Sequence, residues 1–212
     1  MARLIAVAQL KGGAGKSTLA TNLAGELARE FRTGLIDADM PQGTSSHWAE
    51  LRGDLGLQVI TAENVTQLGA AVEQFDSSCD VVVIDLPPRS HKFLREIMAY
   101  TDLVLMPLTA SPADVWATEQ LVDVVREAKK TSKRLKARLV WNRLRPGKST
   151  EVFMATTAAS IRAKECESRL GQRNAYLDAM GHGRTVCEGR DAKACEEFRA
   201  FVAEVKTQLK LA

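Results

Sequence analysis

The chain has 212 residues, 45% of them hydrophobic and 26% charged, which suits one folded domain with a sizeable core and excludes a disordered or collagen-like chain. No apolar stretch is long enough to span a bilayer, no secretory leader is expected before the first strand, and Cys79, Cys166, Cys187 and Cys195 form no C-x-x-C pair, which argues for free thiols over a zinc or iron–sulfur site. The net charge of +3 is uneven: residues 126–148 hold ten Lys/Arg against Glu127 alone, a local +9 that leaves −6 elsewhere.

In chain order, Leu4–Ala8 reads as a short buried strand. It runs into the loop Lys11-Gly12-Gly13-Ala14-Gly15-Lys16-Ser17-Thr18 and then into Leu19–Leu27, where apolar residues recur at helical spacing. Strand, glycine loop and helix form the context of a phosphate-binding loop. Glycines let successive backbone N–H groups converge on a polyphosphate, and the helix start adds free donors and a positive dipole end. Lys16 is placed to reach the β- and γ-phosphates of ATP, and the Ser17 hydroxyl to ligate Mg²⁺. The usual Gly-x-x-x-x-Gly-Lys-Ser/Thr pattern requires a glycine at position 10; this chain has Leu10, and a second lysine, Lys11, before the glycine pair.

Further strands are expected at Thr33–Asp37, Leu57–Ile60, Asp80–Asp85, Asp102–Pro107 and Ala137–Asn142, with helices between them. The clearest helix starts at Ser111-Pro112 and runs to about residue 131; two more are expected over Glu151–Leu170 and Ala192–Leu209. Alternating strands and helices predict an α/β, doubly wound, mostly parallel sheet with helices on both faces, in one domain over residues 1–212. Ligands of such sheets bind beyond the carboxyl ends of the strands. Asp37 and Asp39 leave the second strand there, and Asp85 ends the most hydrophobic one, followed by Leu86-Pro87-Pro88. An acid at that place, facing a phosphate loop, holds Mg²⁺ through water.

The motif Lys-Gly-Gly-x-Gly-Lys-Ser/Thr resembles the deviant Walker A loop of the ParA/MinD ATPases. Asp37-Ala38-Asp39-Met40-Pro41-Gln42 is similar to the family's Asp-x-Asp-Pro-Gln, with Met40 inserted, and Asp85-Leu86-Pro87-Pro88 to its second switch, with Leu86 in place of a hydroxyl residue. Leu105–Pro112 follows the family's strand, proline and capped helix.

The resemblance implies a P-loop NTPase that hydrolyses ATP. Lys16 would be catalytic, Asp39 would orient the attacking water, and Asp37, Ser17 and Asp85 would surround Mg²⁺. Asn142-Arg143 would meet the adenine, and Lys11 would reach across a homodimer to the phosphates of the other subunit. The late stretch, Gln172–Tyr176 and Gly183–Glu188, resembles that of small plasmid-partition proteins, where it lies beside a DNA-binding face. This puts Arg173 and Arg184 with Lys133, Arg134 and Lys136 of the basic block as DNA contacts. Read from charge alone, that block is either a solvated helix end or a polyanion footprint.

Three functions are therefore weighed. One is a cytoplasmic, nucleoid-associated ATPase that positions a plasmid, chromosome or protein assembly with a ParB-like or other adaptor. Another is a MinD-like membrane regulator, which would need Phe198, Phe201, Val202, Val205 and Leu209 to form a detachable amphipathic tail. The third is a ligase or iron–sulfur carrier on the same scaffold, against which Lys11 and the missing cysteine pair count.

Overall fold

The computed structural model describes residues 1–53, 56–88 and 91–211. Among them, six strands form one sheet: β1 (Arg3–Val7), β2 (Thr33–Asp37), β3 (Leu57–Thr61), β4 (Val81–Asp85), β5 (Leu103–Leu108) and β6 (Lys136–Trp141). Their spatial order is β3-β2-β4-β1-β5-β6, and every pairing is parallel. Each expected strand is present to within one residue. The helices are α1 (Lys16–Leu27), α2 (Thr44–Arg52), α3 (Val65–Ser78), α4 (His91–Met98), α5 (Pro112–Thr131), α6 (Lys148–Ile161), α7 (Asn174–Gly181) and α8 (Ala192–Leu209).

The sheet is parallel because its central strands are apolar on both faces, so both must be covered. Ala6, Ile36, Val82, Ile84, Val104 and Met106 pack with Phe75, Leu94, Leu121 and Met154, contributed by α3, α4, α5 and α6. On the other face Ile5, Val7, Leu35, Val83 and Leu105 meet Leu19 and Leu23 of α1, Trp48 of α2, and Phe198 and Phe201 of α8. Phe198, Phe201, Val202, Val205 and Leu209 are all buried, so the apolar stripe of α8 is spent on the core.

The helix expected over Glu151–Leu170 is corrected. It spans Lys148–Ile161 and stops at Arg162, a non-glycine residue with a left-handed φ of 53°. The chain then runs along the outer edge of β6, where Leu139 N donates to Lys164 O (2.9 Å), Cys166 N to Leu139 O (2.8 Å) and Leu170 N to Trp141 O (2.9 Å). Trp141 Nε1 donates to Glu165 Oε2 at 2.6 Å. The backbone groups of an uncovered edge strand would otherwise stand open to another chain, and helix 151–170 yields to that demand.

Candidate functional site

The phosphate loop leaves β1 and closes on α1. Gly13 and Gly15 sit at φ 86° and 88°, a region that L side chains avoid. A side chain on Gly12 or Gly13 would meet nothing within 4 Å, so the inside of the loop is open. On Gly15 it would strike Asn142 Nδ2 at 2.5 Å. Gly15 is the N-cap of α1, no side chain caps its first turn, and no acid lies there. The helix donors are therefore left for an anion, with Lys16, 6% exposed, beside them. This cradle fits a polyphosphate.

Asn142 and Arg143 follow β6 and brace the loop. Asn142 Nδ2 donates to Ala14 O (2.9 Å), and Arg143 Nη1 donates to Gly13 O (2.9 Å). The Asn142 amide, expected on the adenine, gives one of its N–H groups to the loop backbone. Beside the loop opens a cleft of about 450 Å³, lined among others by Lys11, Gly12, Gly13, Asp114, Arg143 and Arg145. A larger apolar groove, about 590 Å³, lies between α3 and α4 at the opposite, amino-terminal end of the sheet. Of the residues singled out above it takes in only Arg134, and it plays no part in the phosphate chemistry.

The acids are set by strand register. Asp37 and Asp85 are partners across β2 and β4, and Val7, the last residue of β1, pairs with Asp85 on the other side. Their surroundings differ. Asp37 is fully buried and accepts three hydrogen bonds: Oδ1 from Asp39 N (3.1 Å), and Oδ2 from Ser46 N and Ser46 Oγ (both 2.8 Å). It anchors the first turn of α2. Asp85 is also buried; its Oδ2 accepts from Ser45 Oγ (2.8 Å), while Oδ1 has no partner among the described residues. Burial pushes Asp85 up to about 7, against the pull of the Ser17 and Ser45 hydroxyls and of Lys16. A buried carboxylate oxygen without a donor, next to a phosphate-loop hydroxyl, is a fitting place for a hard cation such as Mg²⁺.

Asp39 is half-buried, and its backbone carbonyl accepts from Gly43 N at 3.0 Å, which closes the turn that contains Met40. Burial raises its pKa and the charge of Asp37 adds to that, while Lys16 opposes it. Lys11 pairs with Asp114 of α5 at 2.5 Å. Ser45, Ser46 and Asp114 were not singled out from sequence; the only hint was the Thr44-Ser45-Ser46 run after the second motif and an acid in the first turn of α5.

The late stretch packs on α1 and α2. Val186 N donates to Asn22 Oδ1 (2.6 Å), Thr185 Oγ1 to Glu26 Oε1 (2.5 Å) and Trp48 Nε1 to Arg184 O (3.0 Å). The basic block divides between the two ends of β6. Lys133, Arg134 and Lys136 lie at its start, where Arg134 donates to Tyr100 O (2.7 Å) and Lys136 to Gln208 O. Arg143 and Arg145 lie at its other end, beside the cleft, and Lys148 opens α6. Arg173 is tied to Glu197 at 2.5 Å and lies 3.9 Å from Asp191, so its charge is largely answered. Arg184 is exposed.

This architecture is shared. Residues 5–186 match the model of the CobQ/CobB/MinD/ParA nucleotide binding domain. The "Maintenance of carboxysome distribution protein A" of Halothiobacillus neapolitanus is 31% identical over 207 residues, 95% of each chain. Protein ParA of Rhizobium radiobacter is 26% identical over 97% of each. Among solved structures, an ATP complex of an aspartate-to-alanine variant of Cyanothece McdA superposes with a TM-score of 0.82 at 17% identity, covering 100% of this chain and 97% of that one. Open glycine cradle, buried lysine, paired strand-end acids and an end-to-end relative agree: the chain belongs to the CobQ/CobB/MinD/ParA nucleotide-binding family, as an ATPase of its ParA/MinD branch.

Proposed function

We propose that this ATPase positions a large intracellular cargo by a nucleotide cycle: ATP closes a homodimer, the dimer holds non-specific DNA of the nucleoid, and an adaptor on the cargo triggers hydrolysis. The observation that carries this reading is the end-to-end match to a carboxysome distribution protein, which favours a protein assembly over a plasmid as cargo. A membrane-anchored alternative loses its carrier, because the apolar residues of α8 are buried in the core.

Within the site, Lys16 and the loop N–H groups bind and orient the β- and γ-phosphates. Ser17 and, through water, Asp85 would hold Mg²⁺, which when bound neutralises charge on the phosphate oxygens. Asp37 fixes the first turn of α2 and so the path of residues 38–45. Asp39, with no internal donor on its carboxylate among the described residues and a pKa raised by burial, orients the attacking water and receives its proton. Asn142 and Arg143 hold the cradle's shape. Lys11 supplies positive charge in trans to the partner subunit's triphosphate, as an arginine finger does.

For DNA, four exposed cations flank β6 and its covering segment: Lys148, Arg162, Lys164 and Arg169. They suit a phosphate backbone better than Lys136 and Arg173, which the fold already engages. Retention on random-sequence DNA should require ATP, fall steeply with salt, and be lost in Lys16→Ala. Charge reversal at Lys164 and Arg169 should weaken it and flatten the salt slope while ATP turnover persists. Binding that ignores both ATP and salt would overturn the proposal.

A further inference from the structure

The phosphate loop holds two lysines, and only Lys16 is buried against the cradle. Lys11 instead crosses to the first turn of α5, where its ammonium lies 2.5 Å from Asp114 Oδ1. Asp114 is the third residue of that helix and its side chain is 3% exposed, whereas that of Lys11 is 41% exposed. The other carboxylate oxygen, Oδ2, accepts from Thr109 N (3.0 Å) and Thr109 Oγ1 (2.8 Å). Oδ1 therefore depends on Lys11, and the exposed member of the pair is the one able to leave.

We propose that Asp114 is a positioning residue, a latch within one subunit that keeps Lys11 on its own α5 and must release it before Lys11 can reach phosphates held by a second subunit. The proposal rests on the trans-lysine reading given above. Removing one partner from a pair whose other member is buried leaves an uncompensated charge, and that is strongly unfavourable. Lys11 thus stays home unless something more negative than a single carboxylate is offered. Two apposed triphosphates are such an offer, and a subunit without nucleotide is not. The latch makes pairing conditional on ATP by opposing every other encounter, and its strength sets the protein concentration at which ATP drives dimerisation.

Asp114→Asn tests this. The amide keeps an oxygen for Thr109, and so keeps the tie between α5 and the segment after β5, but it no longer holds Lys11 by charge. Sedimentation velocity across a protein dilution series, with ATP and Mg²⁺, should show the variant pairing at a concentration roughly two- to thirtyfold below wild type, since each dimer releases two partly exposed ion pairs. The shift should vanish when Lys11→Ala is added, because both the single Lys11→Ala variant and the double variant should stay monomeric. If Asp114 only tied α5 to Thr109, Asp114→Asn, which keeps that oxygen, would pair at the wild-type concentration. An unchanged or raised threshold in Asp114→Asn, with Lys11→Ala still monomeric, overturns the latch and leaves the trans lysine standing. Wild-type pairing by Lys11→Ala overturns the trans lysine, and the latch with it. Should the Asn variant fail to fold, Asp114→Glu keeps the charge and is expected to pair no more readily than wild type; easier pairing there also overturns the latch.

Discussion

Asp37 and Asp39 lie two residues apart at the end of the same strand in different surroundings. Asp37 accepts three hydrogen bonds and is wholly buried, so it is occupied with structure. Asp39 is half-buried, near enough to Lys16 for that charge to act on it, and is the acid we propose for the reaction. Asp39→Ala should bind ATP normally yet lose on the order of 10²–10⁴ in single-turnover hydrolysis, the usual worth of a positioned base. Asp37→Ala should instead strand the Ser46 N–H and cost about 1–3 kcal/mol of stability, read by urea unfolding. Turnover surviving Asp39→Ala and dying in a well-folded Asp37→Ala would reverse the two roles. At this scale the loop residues were legible, since glycine, lysine and serine must stand at fixed spacing around a phosphate. Asp114, Ser45 and Ser46 were not, because a partner 103 residues away, as Asp114 is from Lys11, leaves no local signal.

Elements were legible where a buried face sets a period. The six strands fell within a residue of expectation because a parallel strand covered on both sides must be a run of apolar residues. Helix α6 was overextended because its stop, Arg162 at φ 53°, is neither glycine nor proline, and because the need to cover the edge of β6 is tertiary. The late stretch is held by two carboxylates whose titration gives its stability a pH signature. Burial raises the pKa of Glu188 and of Glu197, but hydrogen bonds from Arg52 and from Arg173 outweigh it and hold both below the ordinary value of 4.5. A depressed folded pKa gives stability that is fully present above the unfolded value and lost as pH falls through the folded one. Melting temperature should therefore change little on account of this pair from neutrality to about pH 5, then drop below 4.5, and Glu197→Gln should shallow that drop. An acid limb identical in the variant would remove Glu197 from the account.

For the whole molecule, the fold follows from alternating strands and helices, and the site from where parallel strands end. What one subunit cannot contain is a complete reaction centre, if Lys11 acts across an interface. The cleft beside Lys11 and the cradle opens outward, with Arg143 and Arg145 on its wall, a shape and charge that would accept a second subunit's nucleotide side. Mixing two inactive variants decides whether the centre is composite. Lys11→Ala keeps its own Asp39 and cradle but offers no lysine; Asp39→Ala offers its lysine but cannot orient water. In a heterodimer one of the two sites has its own Asp39 intact and Lys11 from the partner, while the other lacks both. Cationic fingers of this kind are worth roughly 10³–10⁵ in rate, so turnover should rise well above that of either variant alone and follow the heterodimer fraction as the mixing ratio is varied. Its ceiling should be about half of wild type, since one site in each heterodimer is whole. A mixture shown by mass measurement to contain heterodimers, yet no faster than its components, would place the function of Lys11 within its own subunit, where Asp114 already holds it.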